Sequence, residues 1–283
     1  RARGDHLEAS RALTPAFEVV SRERDPLRMA DLYRVRAYMR VRSFALPDAF
    51  IDLAAMTELT PNAFGELYDE VVSFGPGQGL DMKAILDRVR ELVPEQTDAD
   101  PDFLEAFAVF GALEFQGGAP ADEVRRGLRA LDRFLDGEPA HTGALLVRAV
   151  LLLGVRETAE ASRCVAAALE TTPVPAFAHY LRARLLARAR DREGALTALA
   201  AALEGRFTVY DAISREPDLA EVRQDARFAR LLSLSQGTGY LTSLERLEHI
   251  ARERGASQDR AEIWRNCIAA STTGLKYLKS LMD

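Results

Sequence analysis

The sequence predicts an all-α fold: a linear stack of helix–turn–helix repeats with two further helices at the C-terminal end. Three observations predict it. The first is repetition at one lag between Gly143 and Leu203. Ala149 is followed 34 residues later by Ala183, and Leu152, Ala161, Ala168 and Leu169 are followed at the same distance by Leu186, Ala195, Ala202 and Leu203. A fixed period of this size marks a repeat array. The second is that apolar residues recur with helical spacing, while no sustained run of alternating β-branched residues signals a strand. The third is composition: hydrophobic residues make up 48% of the 283 positions but aromatics only 7%, as expected of helices built from Ala and Leu.

Each of the two clearest copies reads as a pair of helices. Gly143–Leu153 and Ala159–Glu170 form one, joined by the polar turn Gly154–Thr158; Phe177–Ala189 and Ala195–Glu204 form the next, joined by Arg190–Gly194. Pro173 ends the first copy, because proline disfavours helix in the residue before it. Two antiparallel helices approach closely only where side chains are small. Ala149 with Ala161, and Ala183 with Ala195, supply a small residue on each helix of a pair, 12 positions apart. Leu152, Val165 and Leu169, then Leu186, Leu199 and Leu203, interdigitate around them.

At these residues the chain resembles the tetratricopeptide repeat family, a 34-residue helix–turn–helix with small residues at consensus positions 8 and 20, an apolar or aromatic residue at 24, Ala at 27 and Pro at 32. Ala149, Ala161, Val165, Ala168 and Pro173 fill those places in one copy, and Ala183, Ala195, Leu199 and Ala202 fill four of them in the next. The aromatic residue at position 4 and the Leu-Gly pair at 7 and 8 are absent from both copies. The resemblance implies a right-handed α-solenoid of about five to six repeats that binds protein segments in its concave groove.

Taken in order, residues 1–24 form a helical lead-in, with Thr14-Pro15 as cap and first-turn proline. The array spans 25–234. Its first copy, Asp25–Pro61, has Ala37 and Ala49 at the same 12-residue spacing and Tyr33 at the aromatic position. Ala37 and Ala149 are 112 residues apart, ten more than three periods, and the excess fits either Gly75–Gly79 or Gly117–Ala121. Asn62–Pro94 is a divergent copy with helices Ala63–Phe74 and Asp81–Val93. Pro101–Pro139 is another, with Phe107, Phe110 and Gly111 near positions 4, 7 and 8 and Ala121–Leu135 as its second helix. Past Leu203 the pattern frays. Thr208–Arg215 reads as one more first helix. Glu216-Pro217-Asp218-Leu219 and Asp225-Ala226-Arg227-Phe228 resemble the short segment that often closes bacterial tetratricopeptide arrays. Residues 235–283 hold the amphipathic helix Tyr240–Arg254 and the last helix Asp259–Met282 with Trp264, either a cap on the final apolar face or a surface for docking or oligomerisation.

Little in the chain suggests chemistry. The four histidines, His6, His141, His179 and His249, are scattered, and no spacing matches a zinc site; no nucleophile elbow or kinase signature is present. Gly75–Gly79 lacks a preceding strand and a following Lys-Ser/Thr pair, so a lengthened loop explains it better than a phosphate cradle. No catalytic residue, metal or cofactor is expected. Net charge is −6, which argues against nucleic acid as the partner. No run is long enough to span a membrane. Two cysteines far apart, Cys164 and Cys267, suit reduced thiols and a cytoplasmic location; the first residue is Arg rather than Met, so a trimmed leader or anchor with a periplasmic or lipid-anchored location stays open.

The informative pattern lies on the first helices of the repeats, at the positions that face the groove in the family. These are Arg34, Tyr38 and Arg42 in the first copy, Leu146 and Val150 in the copy beginning at Gly143, and Tyr180, Arg184 and Arg188 in the copy beginning at Phe177. Spacings of four place each trio on one stripe of its helix. Exposed Arg and Tyr suit a partner segment with acidic ends, Leu146 and Val150 would floor the groove between them, and plain solvation of the charged stripes is the competing reading. The expected function is therefore a non-enzymatic scaffold or adaptor for another protein. A sensor module that controls a DNA-binding or signalling domain is the alternative.

Overall fold

The structure is a computed structural model and describes residues 12–23, 25–42, 46–60, 64, 100–115, 118–205, 207 and 209–233. Among the described residues every regular element is helical and there is no strand. The expected helices Ala63–Phe74, Asp81–Val93, Tyr240–Arg254 and Asp259–Met282 and the loop Gly75–Gly79 lie outside the described residues. The chain divides into two compact units, Arg1–Pro175 and Ala176–Asp283, and the division falls within the stretch 25–234.

The first unit contains α1 (Thr14–Glu23), α2 (Pro26–Arg42), α3 (Leu46–Leu59), α4 (Pro101–Phe115), α5 (Ala121–Gly137), α6 (Thr142–Gly154) and α7 (Thr158–Leu169). Local chemistry sets where α2 and α4 begin. Asp25 Oδ1 accepts from the N–H groups of Leu27 and Arg28, at 3.0 and 3.2 Å. Asp100 Oδ1 accepts from those of Asp102 and Phe103, at 2.8 and 3.2 Å. Each carboxylate satisfies first-turn donors that the helix itself leaves unpaired, and the prolines that follow, Pro26 and Pro101, lack a donor that would have been idle. α2 pairs with α3, α4 with α5 and α6 with α7; α6 also packs on α4 and α5, and α3 reaches α4 and α6. Phe50, Phe103 and Phe110 surround Phe107 with ring centroids 5.2, 5.8 and 5.3 Å away, so aromatic packing fills the middle of this unit.

The second unit contains α8 (Ala176–Arg188), α9 (Arg192–Glu204), the short α10 (Tyr210–Arg215), the 3-10 turns η1 (Pro217–Leu219) and η2 (Val222–Gln224), and a helical run over 226–233. α8 pairs with α9, η1 rests on α8 and η2 on α9. α9 begins three residues before the expected Ala195, because Asp191 caps it: its Oδ1 accepts from Gly194 N–H at 2.9 Å.

The 34-residue lag is present in the backbone as well as in the side chains. α6 ends with Glu157 N–H donating to Leu152 O at 2.9 Å and Arg156 N–H to Leu153 O at 3.2 Å; α8 ends with Asp191 N–H donating to Leu186 O at 2.9 Å and Arg190 N–H to Ala187 O at 3.0 Å. This is a Schellman closure, which needs a left-handed residue just past the helix. Arg156 and Arg190 supply it, with φ of 65° and 61°. The eight alanines of the repeat register, Ala37, Ala49, Ala149, Ala161, Ala168, Ala183, Ala195 and Ala202, are all buried, none more than 1% exposed. Each 12-residue pair straddles one helical hairpin: Ala37 and Ala49 on α2 and α3, Ala149 and Ala161 on α6 and α7, Ala183 and Ala195 on α8 and α9.

Candidate partner-binding site

α8 carries Tyr180, Arg184 and Arg188 on one face, as their spacing requires. This stripe is not an open surface: Tyr180 and Arg184 are buried. The chain leaves α9, passes Phe207, turns through α10 and lays η1 over the stripe. Phe207 stacks on Tyr180 at 4.7 Å between centroids. Tyr180 Oη donates to Glu216 Oε2 at 3.1 Å. Arg184 Nε lies 3.1 Å from both Glu216 Oε2 and Asp218 Oδ2, and Arg188 Nε donates to Asp218 Oδ1 at 2.6 Å. Glu216 Oε1 also accepts from Asp218 N–H at 3.0 Å, holding the two acids in one turn. Arg223 Nη1 donates to the carbonyls of Ser214 and Glu216, both at 2.9 Å, and fixes the turn from the other side. Burial pushes the Asp218 carboxyl up, but the hydrogen bond from Arg188 and the charges of both guanidiniums overcome it and hold it below the usual carboxylate range.

The expected exposed stripe is therefore corrected in the second unit: the acidic segment that Tyr180, Arg184 and Arg188 suit is the chain's own. A signal for this was in the sequence. Asp218 follows Arg184 by 34 residues, and so does Arg227 follow Glu193, to which it gives a two-pronged pair at 2.8 and 2.6 Å. The closing segment meets α8 and α9 at that same 34-residue offset.

In the first unit, Leu146 and Val150 do not floor a groove. Both are buried within α6, which packs on α4, α5 and α7 and is apolar on nearly all sides. On α2, Arg34 Nη2 pairs with Asp31 Oδ1 at 2.8 Å on the surface, and Tyr38 is exposed; Arg42 is the last residue of α2, and its side chain lies outside the described residues. The ionic contacts made inward by α2 come from two residues the pattern did not single out. Arg36 and Arg40 converge on Asp52 of α3, which is fully buried, with Arg36 Nη2 at 2.7 Å and Arg40 Nη1 at 2.8 Å. The Arg36 guanidinium also lies 4.0 Å from the centroid of the Phe17 ring on α1. Burial pushes the Asp52 carboxyl upward, and the two guanidiniums oppose it. A single Asp inside the otherwise apolar run from Phe50 to Met56 was the available sign.

Exposed apolar side chains collect on α1 and α2: Val19, Leu27, Val35 and Tyr38. Cys164 is buried on α7, its thiol pushed up by burial, with Arg148 Nη1 3.7 Å from Sγ. Among the described residues no group of three His, Cys, Asp or Glu side chains has metal-holding geometry, and no helix is long and apolar enough to cross a membrane. Comparison of the chain with protein-family models, with curated proteins and with solved structures finds no match.

Proposed function

We propose that the chain is a binding module of the tetratricopeptide type: a right-handed α-solenoid of about five to six helix–turn–helix repeats with a C-terminal helical pair, acting as a non-enzymatic scaffold or adaptor for a protein segment in a bacterial assembly. The observation that supports it most is the identical closure of α6 and α8 one period apart, each with an arginine in the left-handed conformation. Small residues at the α2–α3, α6–α7 and α8–α9 crossings add to it.

The candidate contact surface is the outer face of α2, where Leu27, Val35 and Tyr38 are exposed beside Arg34. Apolar area with a phenol tip and a forked cation at its edge suits a peptide whose apolar side chains are flanked by acids. Leu146, Val150, Tyr180, Arg184 and Arg188 are occupied within their own units and are not part of this surface.

Two measurements test the proposal. Small-angle scattering reads the architecture: a compact globule of this length has a radius of gyration of about 19 Å. A solenoid exceeds that value clearly, and a result at it ends the array reading. Affinity purification from the native cell with a Leu27→Glu/Tyr38→Ala variant reads the surface. The proteins recovered with the wild type are lost with the variant; equal recovery removes the α2 face from the proposal.

A further inference from the structure

Three helix ends of the first unit meet at one point. The α3 end supplies Glu58, the α4 start supplies Asp100, and the α6 start supplies His141, which caps that helix. Ala144 N–H donates to His141 Nδ1 at 3.0 Å, so the neutral ring carries its proton on Nε2 and donates it to the main-chain oxygen of Glu58, 2.9 Å away. The Glu58 side chain reaches across to α4, where Oε2 accepts from Asp100 N–H at 3.2 Å. Helices α3 and α6 are pressed together here: a Cβ on Gly143 would lie 2.9 Å from the Thr57 carbonyl oxygen.

The charged groups facing Glu58 are Asp100 from α4 and Glu138 from beyond α5, both acids, and His141 presents only its ring proton to the Glu58 carbonyl. Asp102 is directed instead to Arg133, 2.5 Å away on the surface. Among the described residues no cation pairs with the Glu58 carboxylate. Burial, reinforced by the charges of Asp100 and Glu138 and only partly offset by the Asp100 N–H, pushes the Glu58 carboxyl up to about 7. Burial pushes the His141 imidazole down.

We propose that this meeting of α3, α4 and α6 is a pH-sensitive joint, whose Glu58 contact weakens as pH rises and whose His141 cap weakens as pH falls. Glu58 lies in a largely buried site flanked by acids, so its raised value means stability is present below the ordinary carboxylate range and is lost as pH climbs from there to about 7, with no further loss above. The ionised side chain swings to water and frees the Asp100 N–H. On the acid side His141 takes a second proton, Nδ1 can no longer accept from Ala144 N–H, and the α6 cap is lost. Its lowered value means stability is lost as pH falls below the ordinary imidazole range. The joint sets how the α2–α3 hairpin is carried on α6, so opening it changes the placement of the α2 surface.

Amide hydrogen exchange on the full chain, followed by NMR from about pH 5 to about pH 9 and corrected for intrinsic rates, tests this. The Asp100 amide loses protection by at least about tenfold as pH rises from about 5 to about 7 and then levels, and the Ala144 amide loses it as pH falls below the ordinary imidazole range. Glu58→Gln, which keeps an acceptor, flattens only the Asp100 limb; His141→Asn, which keeps a capping acceptor, flattens only the Ala144 limb. Protection without either limb in the wild type, or limbs that survive these substitutions, overturns the proposal. So does a Glu58 carboxyl carbon that titrates in the ordinary carboxylate range, a reading that needs no variant.

Discussion

At the same register, one period apart, α6 carries Leu146 and Val150 where α8 carries Tyr180 and Arg184. The two hairpins share their buried alanines, their turn and the hydrogen bonds that close it, and all four of these side chains are buried. What differs is the cover. α6 packs on α4 and α5, helices with apolar inner faces, and is itself apolar nearly all round. α8 is covered by η1, a turn of three residues that brings Asp218, with Glu216 just before it, and needs cations beneath it. The hairpin thus sets the register and the neighbour sets the chemistry. A charged stripe on a repeat helix reports a polar neighbour before it reports an external ligand.

The largest expected effect separates these two kinds of cover. Asp218→Ala removes one of the two carboxylates beside the buried Arg184 and the one hydrogen-bonded to the half-buried Arg188, and costs about 3–5 kcal/mol, as breaking a buried ion pair does. Leu146→Ala in α6 costs about 2–5 kcal/mol through lost burial and a cavity. Similar size hides a difference in pH dependence. The Asp218 value is depressed in the folded chain, so its contribution is present above the ordinary carboxylate range and is lost as pH falls through the lowered value. Hydrogen exchange at α8 amides in the wild type therefore accelerates in acid, and Asp218→Ala removes that acceleration. Exchange at α6 in Leu146→Ala is faster by the same factor at every pH. If Asp218→Ala protects α8 as the wild type does, the η1 ion cluster contributes nothing. Charge reversal of Arg184 and Arg188 acts on this cluster first, so a lost partner in such a variant would report damage to the second unit.

The same contrast explains how much was legible in the sequence. The helices of both hairpins, their turns and the small residues at their crossings were readable, because each is governed by neighbours within 12 residues and by a period that recurs. The use of Tyr180, Arg184 and Arg188 was not read, because their partners lie in a segment whose place in space depends on the turn after α9. The 34-residue offset from Arg184 to Asp218 carried that information, but offsets between unlike residues do not show up when a sequence is compared with itself. Arg36 and Arg40 were missed for a simpler reason. Arg34, Arg36, Arg40 and Arg42 crowd α2, and only the position of Asp52 on α3 tells which of them turn inward.

A smaller effect tests whether the two hairpins are equally tight where they cross. Ala149→Leu and Ala183→Leu each force extra volume between paired helices and cost about 1–3 kcal/mol. Equal losses in the melting of the two units place the crossing at the same depth in both. A loss confined to one shows that the shared register does not imply shared packing.

The smallest effect has the opposite sign. Arg156 and Arg190 hold a left-handed backbone that costs a residue with a Cβ about 1–2 kcal/mol and costs glycine nothing. Both side chains are exposed, so removing them sacrifices little packing. Glycine gives part of this back through the greater freedom of its unfolded chain, leaving a gain of about 0.5–1 kcal/mol for Arg156→Gly and for Arg190→Gly. Chemical denaturation of each variant reads the gain directly. Equal gains mean that the turn carries the same strain in both repeats, as its matching hydrogen bonds imply. A gain at Arg156 without one at Arg190 would separate the two turns: Asp191, the residue after Arg190, also caps α9 through its side chain, whereas Glu157, the residue after Arg156, caps nothing with its own. In that case the strain at Arg190 is already offset by the cap beside it, and the likeness of the two closures is one of geometry and not of energy.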